Sequence, residues 1–172
     1  MSIREVHFDD LPAVAPLFEA MGWSAPTREQ WEHFWVHNPA VSKDRAPLAR
    51  GWVLLNERRV VGYMGNLTQL YSWNGQLLRA AAAAQLVVSP EARGSSMQLV
   101  LAFSRQQEVD VLLNTTASPE ASKIFQFLKF ARMPQQDYDV SYYWVTRPAG
   151  FLNAALRKKG VQSTCARVLG VG

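Results

Sequence analysis

The dipeptide Asn74-Gly75 sits between two long runs, residues 59–73 and 76–88, that are rich in β-branched, aromatic and alanine side chains. A two-residue type I′ turn needs positive φ at both positions, and these two residues tolerate it best, so the chain is expected to fold back there as an antiparallel hairpin. Residues 51–56 and a turn at Glu57-Arg58 come just before, which makes the centre of the chain a three-stranded meander. Its last strand, 76–88, is long enough to invite a bulge or bend partway.

The flanks supply helices. Residues 3–8 alternate weakly as an opening strand; Asp9 and Asp10 then offer N-caps to a helix in which Leu11, Val14, Leu17, Phe18 and Met21 share a face before Gly22. Thr27 and Gln30 form a capping box for a second helix carrying Trp31, Phe34 and Trp35, closed by Asn38-Pro39. After a turn at 90–94 come a helix over 96–107, an apolar strand over 109–113, and a helix capped at Ser118-Pro119-Glu120 that carries Ile124, Phe125 and Leu128. Segments 130–133 and 138–145 read as closing strands. Strand, helix, strand implies a parallel crossover. The expected fold is therefore α/β (α+β): a mixed, mostly antiparallel sheet of six to seven strands with helices on both faces. Residues 1–146 read as one domain and 147–172 as a basic helix (151–159) and tail, the start of a linker or second domain.

Composition excludes several classes. At 172 residues and 48% hydrophobic, the chain can bury about 70% of its unfolded surface without staples. The single Cys165 excludes a disulfide framework and a thiolate-rich metal site. Of 18 Lys and Arg, five (Arg147, Arg157, Lys158, Lys159, Arg167) lie in the acid-free tail, so the body is nearly neutral and lacks the basic stripe of a nucleic-acid partner. Tyr142 and Trp144 alternate with Tyr143 and read as core packing, not a base-stacking platform. The N-terminus mixes acidic and basic residues, unlike a signal peptide, and no run approaches the ~20 apolar residues of a membrane helix, so a cytoplasmic protein is expected. His33 and His37 lack a third ligand, and no metal is expected. Exposed edge strands permit a homodimer.

The candidate chemistry lies in Leu86, Val87, Val88, Ser89, Pro90, Glu91, Ala92, Arg93, Gly94, Ser95 and Ser96, which lead a buried strand through a tight turn into a helix N-terminus. Successive amides there, the helix dipole and Arg93 would cradle an anion such as a pyrophosphate. An ordinary strand-to-helix turn is the alternative these residues leave open. Asn114, Thr115, Thr116 and Ser118 follow the apolar strand at the carboxyl end of the parallel pair, where α/β sheets bind ligands; a plain loop to the Ser118 cap is the alternative.

Val-x-Pro-x-x-Arg-Gly after a long strand, then helix, strand, Ala121-x-x-x-Phe125 and Leu128-Lys129-Phe130, resembles the Gcn5-related N-acetyltransferase (GNAT) family over residues 3–146. The resemblance implies a splayed parallel strand pair and an acyl-CoA-dependent N-acyltransferase that takes acetyl-CoA or another acyl-CoA. A small-molecule or protein amine would attack the thioester directly. In that family the backbone at Leu86, Val87 and Val88 pairs with pantetheine and gives an oxyanion donor, and Arg93, Gly94, Ser95, Ser96, Met97 and Gln98 hold the pyrophosphate. Asn114, Ser118 and Phe125 complete the implied cofactor site. The chain departs from the pattern where Ser96 and Gln98 replace small residues, and where Phe125 replaces an acidic Tyr. Neither base nor acid is assigned, with Tyr63, Tyr138 and Asp139 as substitutes to weigh. These departures motivate the alternative of a non-catalytic CoA-binding or interaction module.

Overall fold

The computed structural model describes residues 1–41 and 46–132, with isolated positions 145, 148, 150–152 and 155 beyond them. The chain divides into two compact units, Met1–Ala131 and Arg132–Gly172, and all elements named below belong to the first. One sheet holds five strands in chain order: β1 (Ser2–Glu5), β2 (Gly51–Asn56), β3 (Arg59–Trp73), β4 (Gln76–Val88) and β5 (Val111–Leu113). The first four pair antiparallel and β5 runs parallel to β4. Asn74 and Gly75 take φ of 50° and 78° at the hairpin tip, which joins the pair Trp73 and Gln76.

The helices are α1 (Leu11–Ala20), α2 (Arg28–Trp35), α3 (Ser96–Ser104) and α4 (Pro119–Phe127). On one face of the sheet Val14, Phe18, Trp31 and Trp35 pack on Val53, Tyr63 and Val87. On the other, Leu99, Val100, Phe103 and Phe125 pack on Trp52, Leu54, Val61 and Met64. Full burial of side chains this size contributes about 1.5–3 kcal/mol each. The capping box forms as read: Gln30 N donates to Thr27 Oγ1 at 3.2 Å and Thr27 N to Gln30 Oε1 at 2.9 Å.

Among the described residues the sheet has five strands, and the expected strand over 138–145 lies almost wholly outside them. Two expectations need correction. Residues 130–132 form no strand, because α4 ends in a Schellman motif. Lys129 takes φ +68°, its N–H donates to Gln126 O, Phe130 N donates to Phe125 O, and the two Phe rings meet edge to face at 5.1 Å. Residues 138–144 and most of the expected helix 151–159 lie outside the described residues. Asp10 occupies the N-cap of α1 but makes no side-chain cap bond. Both of its oxygens accept from Arg4, at 2.6 and 2.7 Å, and one also from His7 N at 2.8 Å. The Arg4 hydrogen bonds hold this carboxyl below the usual range. No helix among the described residues is long and apolar enough to cross a membrane.

Candidate functional site

β4 and β5 pair over only three positions, Ala80 with Val111, Ala81 with Leu112 and Ala82 with Leu113. β5 then stops. Residues 83–88 of β4 run on with β3 on one side and, among the described residues, no strand on the other. At this fork, among the described residues, β5 leaves the rest of that edge of β4 uncovered, with main-chain donors and acceptors to satisfy.

A bulge sits at the fork. Tyr63 pairs with Val87 and Gly65 with Ala84, so Gln85 and Leu86 together stand opposite Met64. Gln85 takes φ +54°, a left-handed conformation that costs a residue with a Cβ roughly 1–2 kcal/mol. The extra residue shifts the alternation of β4. Before it Ala81 and Ala83 face α3 and α4; after it Leu86 and Val88 do, while Val87 turns to the α1 and α2 side.

A cleft of about 410 Å³ lies along this edge. Its floor is Met64 with Ala83, Ala84, Gln85 and Leu86. One wall is the loop after β5, with Asn114, Thr116, Ala117 and Ser118, and the first turn of α4 at Ala121. Asn114 Oδ1 accepts from Thr116 N at 3.1 Å and Ser118 Oγ from Ala121 N at 3.2 Å, so this wall is braced by its own side chains. The opposite wall is Met21 and Trp23, just past α1. Trp23 is fixed by a second Schellman motif: Gly22 at φ +72° donates to Glu19 O, Trp23 N donates to Phe18 O, and the two rings meet at 6.2 Å. No ionisable side chain lines the cleft among the described residues.

Beyond β4, Pro90–Ser95 winds as a 3₁₀ turn straight into α3. It is anchored by Ser89 N to Val61 O at 2.9 Å, by buried Ala92 and by the exposed pair Arg59–Glu91 at 2.9 Å. Ser96 N already donates to Arg93 O. Ser95, at the N-cap of α3, makes no side-chain cap bond. Arg93, Gly94 and Gln98 are exposed, and Ser95, Ser96 and Met97 half-buried. A Cβ on Gly94 would meet nothing within 4 Å, and no positive φ demands glycine there.

The structure thus gathers Leu86, Asn114 and Ser118 around one cleft and places Arg93, Gly94, Ser95, Ser96, Met97 and Gln98 at the end of the strand that floors it. Val87 is fully buried in the α1 and α2 core, and Val88 packs half-buried against the α3 and α4 core. Phe125 is not in the lining: as the residue that meets Phe130 across the Schellman turn, its ring is 5% exposed inside the core. Tyr63, weighed as a substitute acid, is fully buried and its hydroxyl is pushed above the usual phenol range by that burial. Tyr138 and Asp139 lie outside the described residues. Thr116, read from the sequence with Asn114 and Ser118, joins the lining, whereas Met21, Trp23 and Met64 are lining residues that sequence reasoning missed; Gly22, as a helix stop, was the available signal for Trp23. His33 and His37 are exposed, and no three ligand-type side chains come together as a metal site among the described residues.

No family model matches the chain, and no curated protein matches it by sequence. Solved structures do match. The chain is similar to glucosamine-6-phosphate N-acetyltransferase from Arabidopsis thaliana, with TM-score 0.58 and 12% identity over 84% of this chain and 98% of that one. It is similar to an acetyltransferase from Trypanosoma brucei (0.55, 18%, covering 83% and 99%). A third is an aminoglycoside acetyltransferase from an uncultured soil metagenomic sample in complex with sisomicin (0.54, 16%, covering 85% and 96%). At these identities the likeness is one of fold, and the described residues carry the GNAT-like acetyltransferase fold.

Proposed function

We propose that this chain is an acyl-CoA-dependent N-acyltransferase that transfers an acetyl or other acyl group to an amine. One observation carries the reading: β4 bulges at Gln85 and leaves β5 after Leu113, opening a strand edge onto a cleft. The residues fit the ligand. Gly94 lacks a side chain although neither packing nor φ requires it, which suits close approach by a phosphate.

Bound acyl-CoA supplies a thioester, and the exchange is balanced when the amine nitrogen bonds the acyl carbon, the C–S bond breaks with its electron pair on sulfur, and the nitrogen's proton passes to the thiolate. The open edge at residues 83–88 offers main-chain groups to an extended amide chain, and an N–H beside Leu86 would donate to the acyl oxygen. That donor works over a floor of Ala and Met side chains, where low polarity strengthens a fixed dipole. The N-terminus of α3, with Arg93 beside it, would hold the pyrophosphate. Asn114, Thr116 and Ser118 offer further polar contacts along the wall.

A second reading, a CoA-binding module without turnover, is favoured by the lack of an ionisable group in the described lining and by the Ser96 amide already being spent on Arg93 O. Two assays separate them. CoA at a hundred times its Kd adds about 2.7 kcal/mol of stability, which raises Tm by about 5–10 °C in a chain of this length. Thiol release from acetyl-CoA in the presence of an amine panel then reports turnover. A Tm rise with thiol release supports the enzyme, a rise without release supports the module, and no rise removes both.

A further inference from the structure

Resting on the reading above, we infer that the acceptor taken by this cleft is a primary amine carried on an uncharged, apolar body, aromatic or aliphatic. A phosphorylated amino sugar and a polycationic aminoglycoside do not suit it. The two walls differ in kind. The wall after β5 is polar but neutral, and its Asn114 and Ser118 oxygens already accept main-chain hydrogen bonds. The facing wall is Met21 and Trp23, which are 41% and 48% exposed, with Met64 beneath them. Half-exposed apolar side chains at a cleft mouth cover an apolar ligand well and a charged one poorly.

Charge decides the class. A phosphate entering the cleft would shed water without gaining a cation, and a polyammonium would do so without gaining a carboxylate, because the described lining holds neither. An apolar body loses nothing of that kind. The same surroundings favour the uncharged amine, the form that attacks. Trp23 is also preorganised: the Schellman turn at Gly22 and the ring contact with Phe18 fix the indole before any ligand arrives.

The test is a calorimetric titration of the full chain, without CoA, using 2-phenylethylamine, glucosamine 6-phosphate and kanamycin as probes. Expected is saturable binding of 2-phenylethylamine at least tenfold tighter than of the other two. Trp23→Ala should weaken it about tenfold, and Trp23→Phe should restore most of the loss. CoA should still raise the Tm of Trp23→Ala, which shows that the fold is intact. Tighter binding of either charged probe, or no effect of Trp23→Ala, would overturn the inference. Thiol release from acetyl-CoA with the same amines separates the two claims. Fastest release with a charged acceptor would overturn the inference and leave the activity standing, whereas ranked binding without any release would support the cleft chemistry and remove the activity.

Discussion

Beside the bulge of β4, Gly65 of β3 makes a contact that can be weighed atom by atom. A Cβ built on Gly65 would lie 2.7 Å from Tyr63 Oη, 3.3 Å from Ala84 O and 3.4 Å from Tyr63 Cζ. The phenol cannot swing aside, because its ring lies against Trp31 (centroids 5.7 Å apart) and Phe18 (5.9 Å) with no exposed surface. Gly65→Ala should therefore lose about 1–3 kcal/mol, the range for overpacking. The Tyr63 hydroxyl meets no hydrogen-bond partner among the described residues. An unpaired buried hydroxyl costs roughly 1–3 kcal/mol, so Tyr63→Phe should be neutral or stabilising. It also removes the atom at 2.7 Å and leaves only contacts of 3.3 Å or more. In the Tyr63→Phe background Gly65→Ala should then cost under about 1 kcal/mol, a coupling of about 1–2 kcal/mol. Urea unfolding of the four proteins, with unchanged m-values, measures it. Additivity within about 0.5 kcal/mol, or a loss above about 1 kcal/mol for Tyr63→Phe alone, would refute this packing argument.

Three further outcomes are expected. Lys129 holds φ +68° at the end of α4 with its side chain exposed, so Lys129→Gly should relieve strain and stabilise by about 0.5–1 kcal/mol; this is a Tm rise of about 1–4 °C by calorimetry. Asp10→Asn should lose about 1–2 kcal/mol at neutral pH, where the carboxylate bonds Arg4 and His7 N. Because Arg4 lowers the folded pKa of Asp10, that stability is complete above the ordinary carboxylate range and fades as pH falls through the lowered value; the gap in stability between the parent and the Asp10→Asn variant should close in acid and stay constant between about pH 6 and 8. Gly94→Ala should leave Tm within about 2 °C of the parent while weakening CoA about tenfold, or 1.4 kcal/mol; equal losses of both would make Gly94 a structural glycine.

Local chemistry was legible in the sequence wherever a side chain bonds the backbone within a few residues. Thr27 with Gln30, Asn74-Gly75 and the Ser118 cap all form as read. The bulge was readable from the length of β4, but its position was not, because the left-handed residue is Gln85 and no glycine marks it. The same masking by Lys129 turned the end of α4 into an expected strand at 130–133. Asp10 misled differently: a cap and an ion pair use the same carboxylate, and the choice was made by Arg4, brought across by β1. The strand read as 109–113 begins at Val111 because Asp110 is occupied in closing the end of the ladder, its N–H donating to Arg79 O at 2.8 Å and its Oδ2 accepting from Arg79 N at 2.7 Å. For the site, the β4 edge and the loop after β5 were readable from element order. The Met21 and Trp23 wall was not, since only the closed fold carries the end of α1 to the fork.

Amide chemical shifts during an acetyl-CoA titration, followed on nitrogen-15-labelled protein, probe the open edge of β4 directly. Saturable shifts are expected at Gln85, Leu86 and Val88 and through Ser95, Ser96, Met97 and Gln98, with β1 and β2 unmoved. An absence of saturable shifts up to millimolar acetyl-CoA, or shifts confined to residues away from the fork, would contradict the assignment of this cleft to an acyl-CoA.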